Sequence, residues 1–246
     1  MDIITSVRNP RVAFWRSLKE RKGRLESGCF LVEGRKSVEE ALSSGFSCEQ
    51  LIALEDIPVP EGLPLCRVSR HVLEAVCDTK TPQGAAAVMR MRAAPVDGAR
   101  LVALDGVQDP GNVGTILRTA DAAGLDGALL SRDCADPYSP KVLRATMGSV
   151  FHLPFRVTDD LPGELRARRE AGSSILSSQL DGTPFRERGA VGGRFVLVIG
   201  SEGNGVSEAV KREATHRLCL PMRGRAESLN AAVAAGIMMY ALMEEP

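Results

Sequence analysis

From Leu101 onward the chain alternates short, uninterrupted apolar runs with stretches of helical character, and this rhythm constrains its fold most tightly. Residues 101–104, 127–131 and 195–199 are too short for core helices and lack the polar-apolar alternation of a strand with one wet face. Such runs read as strands buried on both sides. Helices are expected from the loop after Leu104 to Ala123 and at 140–147, 161–171, 206–213 and 227–243. Further strands are expected at 151–157, 174–178 and 217–220. The fold class is therefore α/β, a parallel sheet covered on both faces. In such sheets ligands sit beyond the carboxyl ends of the strands.

The first ninety residues carry a smaller α/β pattern. Helices are expected at 11–20, 33–43 and 69–77, the last capped by Ser69, with strands at 29–32, 50–54 and 85–89. Periodicity breaks over 89–98, where Pro95 and Gly98 stand. The reading is a domain at 1–92, a linker at 93–98 and a second domain at 99–246.

The 246 residues balance 31 basic against 31 acidic side chains, so net charge does not point to nucleic acid. Charge is unevenly placed, however. Residues 1–36 hold nine Lys/Arg against four acids. This basic N-terminal arm, with Arg16, Lys19, Arg21, Lys22, Arg24, Arg35 and Lys36, suits contacts to the phosphates of a folded RNA. A solvated helix face is the plainer alternative. Six scattered cysteines without a C-x-x-C pair, and three separate histidines, argue against a metal site or a disulfide scaffold. No apolar run suggests a signal peptide or a membrane span, and a cytoplasmic location is expected.

Three glycine-bearing loops fall where a ligand would bind, each after a strand and before a helix: 105–120, 199–205 and 220–230. Glycine permits close backbone approach, and helix N-termini offer free N–H donors. The G-x-G-x-x-G fingerprint of nicotinamide enzymes, the phosphate-binding G-K-[ST] ending and the G-x-S-x-G elbow are all missing.

The loops read Asn112-x-Gly114-x-x-x-Arg118-x-Ala120, Gly200-x-Glu202-Gly203-x-Gly205 and Leu220-Pro221-Met222-x-Gly224-x-x-x-Ser228-Leu229-Asn230. In order and spacing these resemble the three motifs of the SpoU/TrmH family of RNA ribose 2′-O-methyltransferases, across about residues 100–246. Residues 30–34, Phe-Leu-Val-Glu-Gly, and the helix after them resemble the ribosomal-protein-like substrate-binding domain often fused to these enzymes. One departure is Ala232, where many members carry serine.

The resemblance implies a knotted α/β methyltransferase domain of SPOUT type, S-adenosylmethionine as cofactor, RNA (in the first place ribosomal) as substrate, no metal, and a homodimer with its interface near the active site. The last helix and the first-motif helix are the interface candidates, although both could equally be core helices. The resemblance makes Arg118, Asn112, Glu202, Ser228 and Asn230 the catalytic candidates; because a guanidinium keeps its proton at ordinary pH, Arg118 is expected to clamp an RNA phosphate and not to act as a base. It makes Ser177, Gly200, Leu220, Met222, Gly224, Ser228 and Leu229 the cofactor candidates. Arg223 and Arg225 join the basic arm as RNA contacts. Plainer roles compete for some of them. Arg118 could pair with Asp121 on a surface helix, Asn112 could be an N-cap, Glu202 could be a solvated loop carboxylate, and Ser228 could be a cap. The rival functions are a catalytically inactive RNA-binding assembly factor of the same fold, and a nicotinamide-dependent oxidoreductase.

Overall fold

A computed structural model describes residues 3–92 and 95–244; residues 93 and 94 of the expected linker and the outermost residues of both expected domains lie outside it. The chain divides into two compact units. The first comprises residues 1–92 and 136–151, the second 93–135 and 152–246. A segment that the sequence reading assigns to the second domain thus packs with the first.

The first unit begins with α1 (Pro10–Ser17) and α2 (Arg21–Ser27), where one helix at 11–20 was expected. The break has a tertiary cause. Arg24 of α2 donates from Nη1 to the carbonyls of Leu18 and Lys19, which a continuous helix would have used itself. Gly23 lets the two helices meet, since a Cβ there would overlap the Ser17 carbonyl. β1 (Cys29–Glu33), α3 (Arg35–Ser43), β2 (Cys48–Ala53), β3 (Leu65–Arg67), α4 (Arg70–Val76) and β4 (Ala85–Arg90) follow. The sheet order is β1-β4-β2-β3, antiparallel except for the β2–β3 pair. β3 was not expected; three residues give no readable period. Its core joins Val12, Trp15 and Leu18 to Ile52, Val72 and Val88.

The second unit opens with β5 (Arg100–Asp105), α5 (Pro110–Ala123) and β6 (Gly127–Ser131). α6 (Pro140–Thr146) lies in the segment belonging to the first unit. The second unit then continues through β7 (Phe155–Thr158), α7 (Leu161–Glu170), β8 (Ser174–Pro184), β9 (Phe195–Gly200), α8 (Glu208–Glu213), β10 (His216–Cys219) and α9 (Ala231–Met243). Its six strands lie in the order β10-β8-β9-β5-β6-β7, every neighbouring pair parallel. The runs 101–104 and 195–199 are buried throughout, as two-sided strands must be. Truncating one such leucine to alanine costs about 2–5 kcal/mol.

Two differences from the sequence expectations shape the site. β8 runs past Ser178 to Pro184, and its pairing with β10 jumps from Arg217↔Ser177 to Leu218↔Thr183. Residues 178–182 therefore bulge out of the ladder. Gly182 accommodates this, because a Cβ there would stand 2.6 Å from the Leu218 nitrogen. The last helix starts at Ala231 rather than 227, with Asn230 as its cap. In addition, the expected strand at 151–157 is shorter: Ser149–Phe151 form a 3-10 turn, and β7 begins after Pro154.

Among the described residues no helix is long and apolar enough to cross a membrane, and no group of three His, Cys, Asp or Glu is placed to hold a metal ion.

Candidate active site

β5 and β9 are paired so that Asp105 stands opposite Gly200. The loops that leave their carboxyl ends therefore start side by side, where the strand order reverses. Gly200 is required here: the Ser201–Gly205 turn folds back through paired hydrogen bonds of 3.0 and 2.9 Å, and a Cβ on Gly200 would overlap the backbone of Gly205 and Val206. Gly205 itself sits at φ +65.

Asp109 caps α5, its carboxylate accepting from the Asn112 N–H at 2.8 Å, with Pro110 in the first turn. Asn112 is thus not the cap, and its side chain is free to turn inward, where it is buried. It donates from Nδ2 to Glu202 Oε1 at 2.7 Å, and its Oδ1 accepts from Asn230 Nδ2 at 2.9 Å. Asn230 Oδ1 in turn accepts from the N–H groups of Ala232 and Val233, capping α9. The direction of this relay is fixed chemically. An ionised carboxylate only accepts, so Asn112 must face it with N–H; the Asn230 oxygen is taken by the helix, so its amide N–H must face Asn112. One side-chain chain thus fastens the three motif loops together.

Burial pulls the Glu202 carboxyl upward, but the Asn112 amide and the backbone N–H groups of Glu202, Gln108 and Asp109 outweigh it and hold the group below its ordinary value. Glu202 is ionised at neutral pH and committed to Asn112.

Beside the relay lies a cavity of about 620 Å³. Its apolar wall is Ile199, Leu220, Met222 and Leu229; its polar groups include Asp181, Glu202, Lys211 and Ser228. The volume and the mixture suit a nucleoside-sized ligand. The β8 bulge supplies one rim, Ser178 to Asp181. Of the cofactor candidates, Gly200, Leu220, Met222, Ser228 and Leu229 line this cavity. Ser177 does not: it is fully buried within β8 and accepts from Gln179 at 3.0 Å. Gly224 is exposed and also stands outside the lining. Ser228 lines the cavity but does not cap α9, a role taken by Asn230. The sequence reading missed Asp109, although Asp-Pro before an apolar run is a helix-start signal. It also missed Asp181 and Lys211, which no motif marks.

Arg118 lies on the exposed face of α5, about 9 Å along the axis from Asn112. It has no ion pair or hydrogen bond among the described residues, so the pair with Asp121 does not form, and it is not part of the cavity lining.

The basic candidates divide. Arg24 is 3% exposed and grips Asp136 through Nε and Nη2 at 2.8 and 2.6 Å. Lys19 donates to the carbonyls of Ala75 and Cys77 at 3.1 and 2.6 Å, closing the end of α4. These two cations are therefore structural and unavailable to phosphate. Arg35 is paired with Glu39 and Lys22 with Glu26 on the surface. Arg16, Arg21, Lys36, Arg223 and Arg225 are exposed.

A family model described as the SpoU rRNA Methylase family matches residues 99–240. The chain belongs to the SpoU rRNA methylase family. A second model, the MRM3-like substrate binding domain, matches residues 9–87. Among SpoU relatives, the chain is 39% identical over 248 residues to the 23S rRNA (guanosine(2553)-2'-O)-methyltransferase RlmP of Bacillus subtilis, covering 98% of this chain and 99% of that protein. Its fold is similar to an AdoMet-bound rRNA methyltransferase from Sinorhizobium meliloti, with a TM-score of 0.87, 34% identity and coverage of 97% and 96%. It is also similar to the SpoU methyltransferase AviRb from Streptomyces viridochromogenes in complex with AdoMet, with a TM-score of 0.85, 28% identity and coverage of 97% and 98%.

Proposed function

We infer that this chain is an S-adenosylmethionine-dependent RNA ribose 2′-O-methyltransferase acting on ribosomal RNA. The observation that carries the reading is the cavity at the carboxyl ends of β9 and β10 and beside the β8 bulge, fastened by the Glu202–Asn112–Asn230 relay, in a chain of the SpoU family. When bound, the cofactor supplies a methyl group on a positively charged sulfur. Ile199, Leu220, Met222 and Leu229 offer an apolar bed for its adenine, and the Asp181 carboxylate suits its cationic half. Gly200 lets the loop close tightly enough to shape that bed.

Arg118 is the residue that acts on RNA. A guanidinium keeps its proton at ordinary pH, so it serves as a clamp and not as a base. It grips a phosphate beside the reacting ribose bidentately and stabilises negative charge growing on the 2′-oxygen. The chain's remaining contribution would be positional: the residues lining the cavity would hold the donor with its methyl group toward the ribose oxygen. Arg16, Arg21, Lys36, Arg223 and Arg225 supply phosphate contacts elsewhere.

The enzyme works as a homodimer through α9 and the adjoining face of α5. α9 is apolar on every side, yet Val233, Ile237 and Tyr240, one stripe at helical spacing, remain 51%, 47% and 46% exposed. A helix of that composition belongs under cover. The stripe is continuous with Leu229 at the cavity and lies on the helix packed against α5, so a second copy is its occupant. This also explains an Arg118 without partners in one chain.

The test is methyl transfer from labelled cofactor to deproteinised ribosomal RNA. Arg118→Ala should abolish transfer while S-adenosylhomocysteine still binds. Absence of transfer to any RNA by the wild-type protein would favour the inactive assembly factor.

A further inference from the structure

The first unit holds a second cavity of about 290 Å³ to which no role has been given. Its walls include Val32, Met147 and Phe151, and its rim Lys36, Glu40 and Arg144. It is near the lower limit for small-molecule sites, roomy enough for one ring system but not for a cofactor with three parts.

The turn at its edge is unusual. Met147 is the only described non-glycine residue at positive φ, +50, and Gly148 follows at +101. Non-glycine residues at such angles cost energy and cluster where function demands them. This one ends α6 and leaves a long apolar side chain 68% exposed at a cavity mouth. Opposite it, the Glu40 carboxylate packs directly on Gly148, so closely that a Cβ there would overlap it. Arg144 is held at the rim by Asp78 at 2.7 Å.

We propose that this cavity receives a single unstacked nucleobase of the RNA substrate, a proposal that rests on the RNA reading above. A thioether and a phenyl ring offer soft apolar surfaces to a base's π-face. Glu40, an acceptor only and already engaged with one neighbour, has further lone pairs to offer an edge bearing N–H groups. Lys36 and Arg144 bring positive charge to the phosphates on either side of an extruded nucleotide. The lining residues 31–40 fall within the segment matched by the substrate-binding model, and folded RNA offers specificity chiefly through bases splayed out of the helix.

The experiment uses the full chain with methionine methyl groups labelled for NMR, the Met147 signal being assigned with Met147→Leu. The four nucleoside monophosphates are titrated separately, with ribose 5-phosphate as the probe that lacks a base. The Met147 methyl should move with at least one amino-bearing nucleotide and stay still with ribose 5-phosphate. Met147→Ala and Glu40→Gln should each raise KM for deproteinised ribosomal RNA by about tenfold, with S-adenosylhomocysteine affinity unchanged. Equal shifts with ribose 5-phosphate would make the cavity a phosphate site and overturn the proposal. A silent methyl together with an unchanged KM would also overturn it. Should the wild type methylate no RNA, the enzymatic reading fails, and the methyl titration still decides the cavity.

Discussion

Asn230 donates from Nδ2 to Oδ1 of Asn112 at 2.9 Å, while its own oxygen caps α9. A helix cap and a site-building contact are thus made by the two ends of one amide. Asn112→Asp removes the donor that faces Glu202 and sets two carboxylates against each other. The variant should lose about 1–3 kcal/mol of stability and bind S-adenosylhomocysteine more weakly, as read by urea unfolding and calorimetry. Asn230→Ala should cost about 0.5–2 kcal/mol through the cap and also loosen Glu202.

Glu202 gives stability a defined pH dependence. Its carboxyl titrates below its ordinary value in the folded protein, so its contribution is fully present above the unfolded pKa, about 4.3, and is lost as pH falls through the folded value. Thermal unfolding of wild type and Glu202→Gln should differ by a constant Tm gap from pH 7 down to about pH 5, and the gap should close in acid. A gap that widens below pH 4 would contradict this.

Gly200→Ala places a methyl into the backbone of Gly205 and Val206. Backbone cannot step aside as a flexible side chain can. The substitution should destabilise the protein by about 1–3 kcal/mol and weaken S-adenosylhomocysteine binding, whereas Gly203→Ala, where a Cβ meets nothing, should do neither.

The basic residues should separate by experiment. Arg24→Met leaves the largely buried Asp136 carboxylate without its cation, costing about 3–5 kcal/mol in urea unfolding. Arg16→Ala should leave stability unchanged but lower the slope of log RNA affinity against log salt by about 0.7–0.9. If Arg24→Met lowered that slope and left stability intact, its structural assignment would be wrong.

Ile237→Glu introduces charge into the exposed stripe of α9. Sedimentation should show a monomer where the wild type is a dimer, with methyl transfer lost and the far-UV spectrum retained. An unchanged sedimentation coefficient would remove the dimer proposal.

The alternation of runs such as 101–104 and 195–199 was enough to read the parallel sheet, because burial on both faces leaves a continuous apolar signature. The first two loops were legible for the same reason, since they follow those strands; the third follows β10, which is short and mostly not buried, and was marked by its own residues, Leu220 to Asn230. What escaped is what tertiary contacts decide. The break between α1 and α2 depends on the Arg24 guanidinium reaching two carbonyls, and nothing in residues 11–20 marks it. The β8 bulge lies in a polar stretch without period, so the Asp181 rim stayed hidden. Asn112 and Asn230 each looked like ordinary helix-start residues; that they face one another follows only from the pairing of α5 with α9. Arg24 and Lys19 show the limit of counting charge, since their partners are far off in sequence or are backbone carbonyls.

The relay joins positions 90 and 118 residues apart in the chain. Closing loops of that length costs chain entropy before either contact repays it. A partly folded molecule therefore has no seat for its methyl donor. Completing the fold and completing the donor's seat become one event.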